Sequence, residues 1–131
     1  MNIIIVGQGA IGLLWYHKLS QLAEVKAQLL CSANCQTIPE FMGFVYRNQQ
    51  LSTALNIAEP STLTQADLVL FCLKAYQLPQ AFEQYLPLIS QTTPLVLCHN
   101  GMLMPDTLPK ERILLALLTT HASKLSQAFC L

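Results

Sequence analysis

Apolar positions along this chain fall into short blocks separated by polar clusters, and the spacing inside each block indicates the element it forms. Ile3-Ile4-Ile5-Val6 is an unbroken β-branched run that stops at Gly7. Such side chains favour extended backbone, so the run predicts a buried strand. A helix-compatible stretch over residues 13–22 follows Gly12. Residues 25–30 predict a second short strand. The pattern then changes: Phe44, Tyr46 and the alternation at Leu51, Thr53, Leu55 and Ile57 predict two extended segments joined at Arg47-Asn48-Gln49-Gln50, a β-ribbon appended to the sheet. Pro60-Ser61 opens a linker or helical turn ending near Ala66.

Residues 67–73 are nearly continuously apolar, as in a strand covered on both faces. A helix over residues 79–88, with proline in its first turn, precedes two further buried strands over 94–98 and 112–118. Strands alternating with helices predict an α/β fold with right-handed crossovers, in which ligands bind beyond the carboxyl ends of the strands. Polar clusters fall at those ends, at residues 7–12, 74–77, 99–101 and 119–123.

The first cluster, Gly7-Gln8-Gly9-Ala10-Ile11-Gly12, has the glycine spacing of a dinucleotide-binding fingerprint, set between a strand and a helix as that fingerprint requires. Gly7 turns the chain off the strand, Gly9 leaves room for a pyrophosphate, and Gly12 lets the helix lie close on the sheet. The diphosphate would sit against unpaired N–H groups at the positive end of the helix dipole. The alternative is a purely structural glycine turn. At the end of the second strand, an acidic residue would bind the ribose 2′-hydroxyl of NAD and an arginine the 2′-phosphate of NADP. Leu30-Cys31-Ser32-Ala33-Asn34 carries neither charge. Ser32 and Asn34 can hydrogen-bond a ribose or phosphate, and Lys26 or Arg47 would add charge only if the fold brought them round.

With 131 residues the chain suits one domain over 1–131. Only 11% of residues are charged, against about a quarter in a typical domain, while 53% are apolar. Apolar surface covered by another domain or by a second copy in a homodimer accounts for this, as does a surface built on Gln, Ser and Thr. Zero net charge without a basic run argues against nucleic acid. No stretch reaches the roughly 20 apolar residues of a membrane span, and the start lacks signal-peptide features, so a cytoplasmic location is expected. Cys31, Cys35, Cys72, Cys98 and Cys130 are odd in number and do not read as a disulfide framework. Cys72 and Cys98 read as core residues, and Cys31 and Cys35 lack a second ligand pair, so no metal is expected.

Gly-Gln-Gly-Ala-Ile-Gly-Leu-Leu-Trp at 7–15, Leu-Lys-Ala-Tyr-Gln at 73–77, His-Asn-Gly-Met at 99–102 and Thr-Thr-His-Ala at 119–122 together resemble the N-terminal domain of ketopantoate reductase (2-dehydropantoate 2-reductase). The resemblance implies a Rossmann-type doubly wound, mostly parallel sheet. It also implies an NADPH-dependent reduction of 2-dehydropantoate, a small 2-keto acid, on the route to pantothenate. By position, Gly7, Gln8, Gly9, Ala10, Ile11 and Gly12 would hold the pyrophosphate. Lys74 would lie near the cofactor and substrate pocket as an auxiliary group, Asn100 would contact the ribose on the nicotinamide side, and Ser123 would offer backbone contacts. Read without the resemblance, Lys74 is a solvated strand-end lysine and Asn100-Gly101 a turn. His99 and His121 read as loop-orienting residues.

The sequence departs from the family at Leu30 or Cys31, where an arginine is usual, at Leu103, where a glycine is, and at Leu117-Leu118. NADH therefore stands open beside NADPH. The family's second, helical domain supplies the general acid and a substrate-binding carboxylate. This chain reads as the nucleotide-binding part alone and is expected to be inactive by itself. The rival readings are a reductase of another 2-keto acid and a non-catalytic nucleotide-binding or oligomerisation remnant.

Overall fold

A computed structural model describes residues 1–32, 41–99 and 113–117. Five parallel strands make the main sheet: β1 (Asn2–Val6), β2 (Lys26–Leu30), β5 (Leu68–Phe71), β6 (Leu95–His99) and β7 (Ile113–Leu117), in the order β2-β1-β5-β6-β7. β1 lies between β2 and β5, with Val6 level with Leu30 on one side and Phe71 on the other. Chain crossovers leave β1 in opposite directions, so the turn after it is a topological switch point. This is the α/β fold that the strand–helix alternation predicts, in the Rossmann-type doubly wound arrangement that the resemblance implies.

Alternation along β1 explains its unbroken apolar run. Ile4 and Val6 join a core with Phe71, Leu78, Phe82 and Tyr85, whereas Ile3 and Ile5 join a second core with Tyr16, Leu29 and Cys98. Both faces are covered, so no position on β1 can be polar between Ile3 and Val6. The first core is closed by helix α2 (Leu78–Tyr85), whose Phe82 meets Phe71 edge to face at a centroid distance of 4.9 Å. The second is closed by helix α1 (Ala10–Ser20).

Several boundaries differ from the sequence reading. Helix α1 starts at Ala10 instead of residue 13, taking Gly12 into its first turn, and ends at Ser20. Helix α2 ends at Tyr85, and Leu86–Leu88 continues as a 3-10 turn; Pro87 there has no N–H for a further α-helical bond. β5 stops at Phe71 and β6 runs on to His99. The ribbon turn is also shorter than expected. β3 (Phe41–Tyr46) and β4 (Gln49–Ala54) pair antiparallel, and only Arg47 and Asn48 lie between them, at φ 50° and 62°. Two successive left-handed residues are the mark of a type I′ hairpin turn.

The hairpin is a sheet of its own and does not extend the main sheet. Its connection runs through the residues that follow it. Ile57 makes a single parallel bridge to Leu29, with Leu29 N–H donating to Asn56 O (2.8 Å) and Ala58 N–H to Leu29 O (2.9 Å). This brief contact covers the outer edge of β2, where a longer strand would otherwise be exposed to pairing. Tyr16 ties the hairpin's exit to α1. Its hydroxyl donates to Ala54 O at 2.7 Å and accepts from Asn56 N–H at 2.7 Å. No helix among the described residues is long and apolar enough to cross a membrane.

Candidate functional site

The site is built at the carboxyl ends of β1, β2 and β5. Gly7 leaves β1 at φ 116°, a left-handed conformation that favours glycine, and a Cβ there would stand 2.5 Å from the Cys72 carbonyl oxygen. Neighbouring strands hold the turn from both sides. Gly7 N–H donates to Leu30 O (3.1 Å), and Cys72 N–H donates to Val6 O (2.9 Å). A Cβ on Gly12 would run into the Gly7 carbonyl oxygen. The third glycine therefore serves contact between the helix start and the turn itself, with Cys72 Cβ beyond, and not a general approach of helix to sheet.

Gly9 is different in kind. It is the N-cap of α1, and nothing lies within 4 Å of where its Cβ would be. Its carbonyl accepts from Leu13 N–H (3.0 Å), so the first helical turn is formed. The amides of Ala10, Ile11 and Gly12 follow at positions that have no intrahelical acceptor, and no side chain caps them. The first turn also carries no acidic residue to offset the positive helix end. Open space above Gly9, free amide directions and an uncompensated dipole are what a diphosphate needs.

Gln8 points its carboxamide across to the end of β2. Its Nε2 donates to Ser32 Oγ (2.9 Å), and its Oε1 accepts from Ser32 N–H (3.0 Å). Beside this pair lies a cavity of about 260 Å³. Gly7, Gln8 and Ser32 form one wall, Gln77, Gln80 and Gln84 the other, and Leu30, Ala81 and Tyr85 lie deeper. The volume is below the ~300–1,000 Å³ of a pocket for a whole small molecule, so it fits one end of an extended ligand. No described residue lining it carries a formal charge.

Lys74 caps the 3-10 turn Ala75–Gln77, with its N–H donating to Gln77 Oε1 (3.1 Å) and its carbonyl accepting from Gln77 N–H (2.8 Å). It stands at the same sheet end as the glycine turn, is exposed, and does not line the cavity. His99 ends β6 at this end of the sheet. Asn100, Ser123, Leu103 and His121 lie outside the described residues. Cys72 and Cys98 are buried free thiols beneath the turn. A hydrogen bond with Cys98, and then burial, push the Cys72 thiol up, so it stays protonated at neutral pH.

The glutamine face of α2 and the Gln8–Ser32 pair are the site features that motif spacing did not single out. The first had a signal: Gln77, Gln80 and Gln84 recur at helical spacing opposite Leu78, Ala81, Phe82 and Tyr85. The second had none, because it joins residues 24 apart in sequence.

Taken together, the parallel sheet, the switch-point turn and the helix that follows it define a domain of Rossmann type. The chain belongs to the ketopantoate reductase family: the family model described as ketopantoate reductase PanE/ApbA matches residues 3–129. The family implies a nicotinamide dinucleotide cofactor, and the open glycine turn fits one. A 2-dehydropantoate 2-reductase of Yersinia pestis is 32% identical over 131 residues, covering 95% of this chain and 41% of the relative. This chain thus spans about two fifths of that relative's length. A solved structure of D-mandelate dehydrogenase with NADH and anilino(oxo)acetate is 25% identical, with a TM-score of 0.74, and the match covers 89% of this chain and 40% of that one. The dimeric ketopantoate reductase from Staphylococcus aureus, 18% identical with a TM-score of 0.66 over 91% of this chain and 39% of that one, shares the fold.

Proposed function

We propose that residues 1–131 are the NAD(P)-binding part of a cytoplasmic, NAD(P)H-dependent 2-dehydropantoate 2-reductase, which makes pantoate on the route to pantothenate. The observation that carries this reading is the glycine turn: Gly7 and Gly12 are shut against backbone, while Gly9 alone opens to free space. In this reading Gly7, Gln8, Gly9, Ala10, Ile11 and Gly12 surround the pyrophosphate, and the amides of the first helical turn bind it. Asn100 aligns the ribose on the nicotinamide side, Ser123 offers backbone contacts, and Lys74 lends positive charge near the substrate carboxylate. The reduced nicotinamide, when bound, supplies hydride to the ketone carbon. The alkoxide so formed needs a proton donor positioned beside it, which the resemblance assigns to the family's second, helical domain. Turnover by this chain alone is therefore expected to be negligible.

D-Mandelate dehydrogenase with its oxoacetate ligand supports the reaction class, hydride exchange with a 2-oxo acid, and leaves the particular substrate to the resemblance. A homodimer is the proposed assembly, on the low share of charged residues. The test is a titration of the purified chain with NADPH, followed by the backbone amides of Gly9 to Gly12 in NMR and by light scattering for the dimer. Saturable shifts confined to that turn are the expected result. Absence of shifts at millimolar coenzyme, or robust ketopantoate reduction by the isolated chain, would overturn the corresponding half of the proposal.

A further inference from the structure

Coenzymes NADH and NADPH differ at one place, the adenosine ribose, where a 2′-hydroxyl is replaced by a phosphate of about −1.5 to −2 charges near neutral pH. In this fold that ribose is read at the end of the second strand. Here the end of β2 is held by the Gln8–Ser32 pair, at 2.9 and 3.0 Å, on the rim of a cavity whose other wall is Gln77, Gln80 and Gln84. We infer that this chain recognises the adenosine ribose through neutral hydrogen-bonding groups, chiefly Ser32 held by Gln8, and accepts the 2′-hydroxyl coenzyme NADH at least as well as NADPH. The inference rests on the proposed placement of a nicotinamide dinucleotide at the glycine turn.

Three observations converge on it. Ser32 Oγ already accepts a hydrogen bond from Gln8 Nε2, so its own hydrogen is left to donate outward, to a ribose oxygen of matching size. Among the described residues no lysine or arginine lines the cavity, and none occurs in the sequence from residue 27 to residue 46. The nearest cation along the strand, Lys26, begins β2 at its opposite end, ~13 Å away at ~3.3 Å per residue. A dianion brought to this rim would shed water against a lining of amide and hydroxyl dipoles, with Lys74 exposed at the same sheet end but outside that lining, and dipoles do not offset its desolvation. The hydroxyl makes no such demand. Gln8 is thus a positioning residue, fixing the donor that discriminates.

The test is calorimetric titration of the full chain with NADH and with NADPH, at low and at high salt. The two dissociation constants are expected to agree within about threefold or to favour NADH, at both salt concentrations. Tighter binding of NADPH by about tenfold or more, the gain a charge-assisted contact to the phosphate brings, would refute the inference and leave the proposed function standing. Failure of both coenzymes to bind would refute that function itself. In the variant Ser32→Arg, NADPH affinity is expected to rise about tenfold, while NADH, deprived of the Ser32 hydroxyl, weakens by about threefold or more. No change for either would show that the 2′ position lies elsewhere and would also refute the inference. Should the variant fold poorly, the comparison on the unaltered chain still decides.

Discussion

Replacing Gly12 and Gly9 by alanine, one at a time, separates a glycine that the fold needs from a glycine that a ligand needs. At position 12 the new Cβ meets the Gly7 carbonyl oxygen, a backbone atom that cannot rotate away. The Gly7 turn is itself held by its bond to Leu30 O, so relief requires moving the start of α1. Overpacking of this kind costs about 1–3 kcal/mol or more, and contact with backbone puts it at the upper end. Alanine's helix propensity returns ~1 kcal/mol. The net loss is about 2 kcal/mol, or ~6–10 °C in Tm for a domain of this size. At position 9 the Cβ enters open space at φ −72° and ψ 177°, angles that any residue adopts. Only the weaker N-cap preference of alanine is lost, under about 1 kcal/mol. Urea denaturation followed by Trp15 emission, together with coenzyme titration, reads both effects. Gly9→Ala is expected to fold normally and to lose coenzyme affinity, with Gly12→Ala showing the fold penalty. An unfolded Gly9→Ala, or a Gly12→Ala as stable as the parent, would refute the division of labour.

Tyr16→Phe strips the hydroxyl that serves both Ala54 O and Asn56 N–H; a loss of about 1–3 kcal/mol and faster hydrogen exchange at Asn56 are expected, and unchanged exchange would count against the tether. His17 is buried, and burial followed by repulsion from Lys18 lowers its pKa below 6.5. The folded state therefore favours the neutral ring, so stability from this group is full above pH 6.5 and is lost as pH falls through the lowered folded value. Melting temperature measured from pH 8 downward should show the decline, and His17→Gln should flatten it. Among the described cysteines, half-buried Cys31 is expected to react with a disulfide reagent well before Cys72 and Cys98, read by mass spectrometry of the native protein.

Local pattern carried most of the fold because the central strands β1 and β5 are buried on both faces, which leaves an unmistakable apolar run at Ile3 to Val6 and again at Leu68 to Phe71. Edges were less legible where a local preference lost to a tertiary contact. Glycine is a poor helix former, so local propensity alone starts α1 beyond Gly12. The structure puts Gly12 inside the helix, because only a residue without Cβ fits against the Gly7 carbonyl. The hairpin was legible as alternation. Its separation from the main sheet was not, since that depends on Ile57 alone reaching Leu29. Gly7, Gly9 and Gly12 announced the turn through their spacing, whereas the Gln8–Ser32 pair exists only once β1 and β2 lie side by side.

That adjacency also bears on how binding and folding are linked. β1 is bonded on one edge to β2 and on the other to β5, and the same two neighbours supply Leu30 O, which takes the Gly7 amide, and the Cys72 amide, which binds Val6 O. Gln8 adds a side-chain clasp from the turn to Ser32 just past β2. The turn therefore keeps its shape only while three strands stay in register, and loss of that register dismantles the anion site with the core beneath it. A ligand that needs the intact turn binds the folded state alone. At a hundredfold excess over its dissociation constant such a ligand stabilises the fold by about 2.7 kcal/mol, which is comparable to the penalty worked out for Gly12→Ala. If the coenzyme binds this turn as proposed, its binding and the sheet register are one equilibrium observed at two places, with Gly7 as the residue common to both.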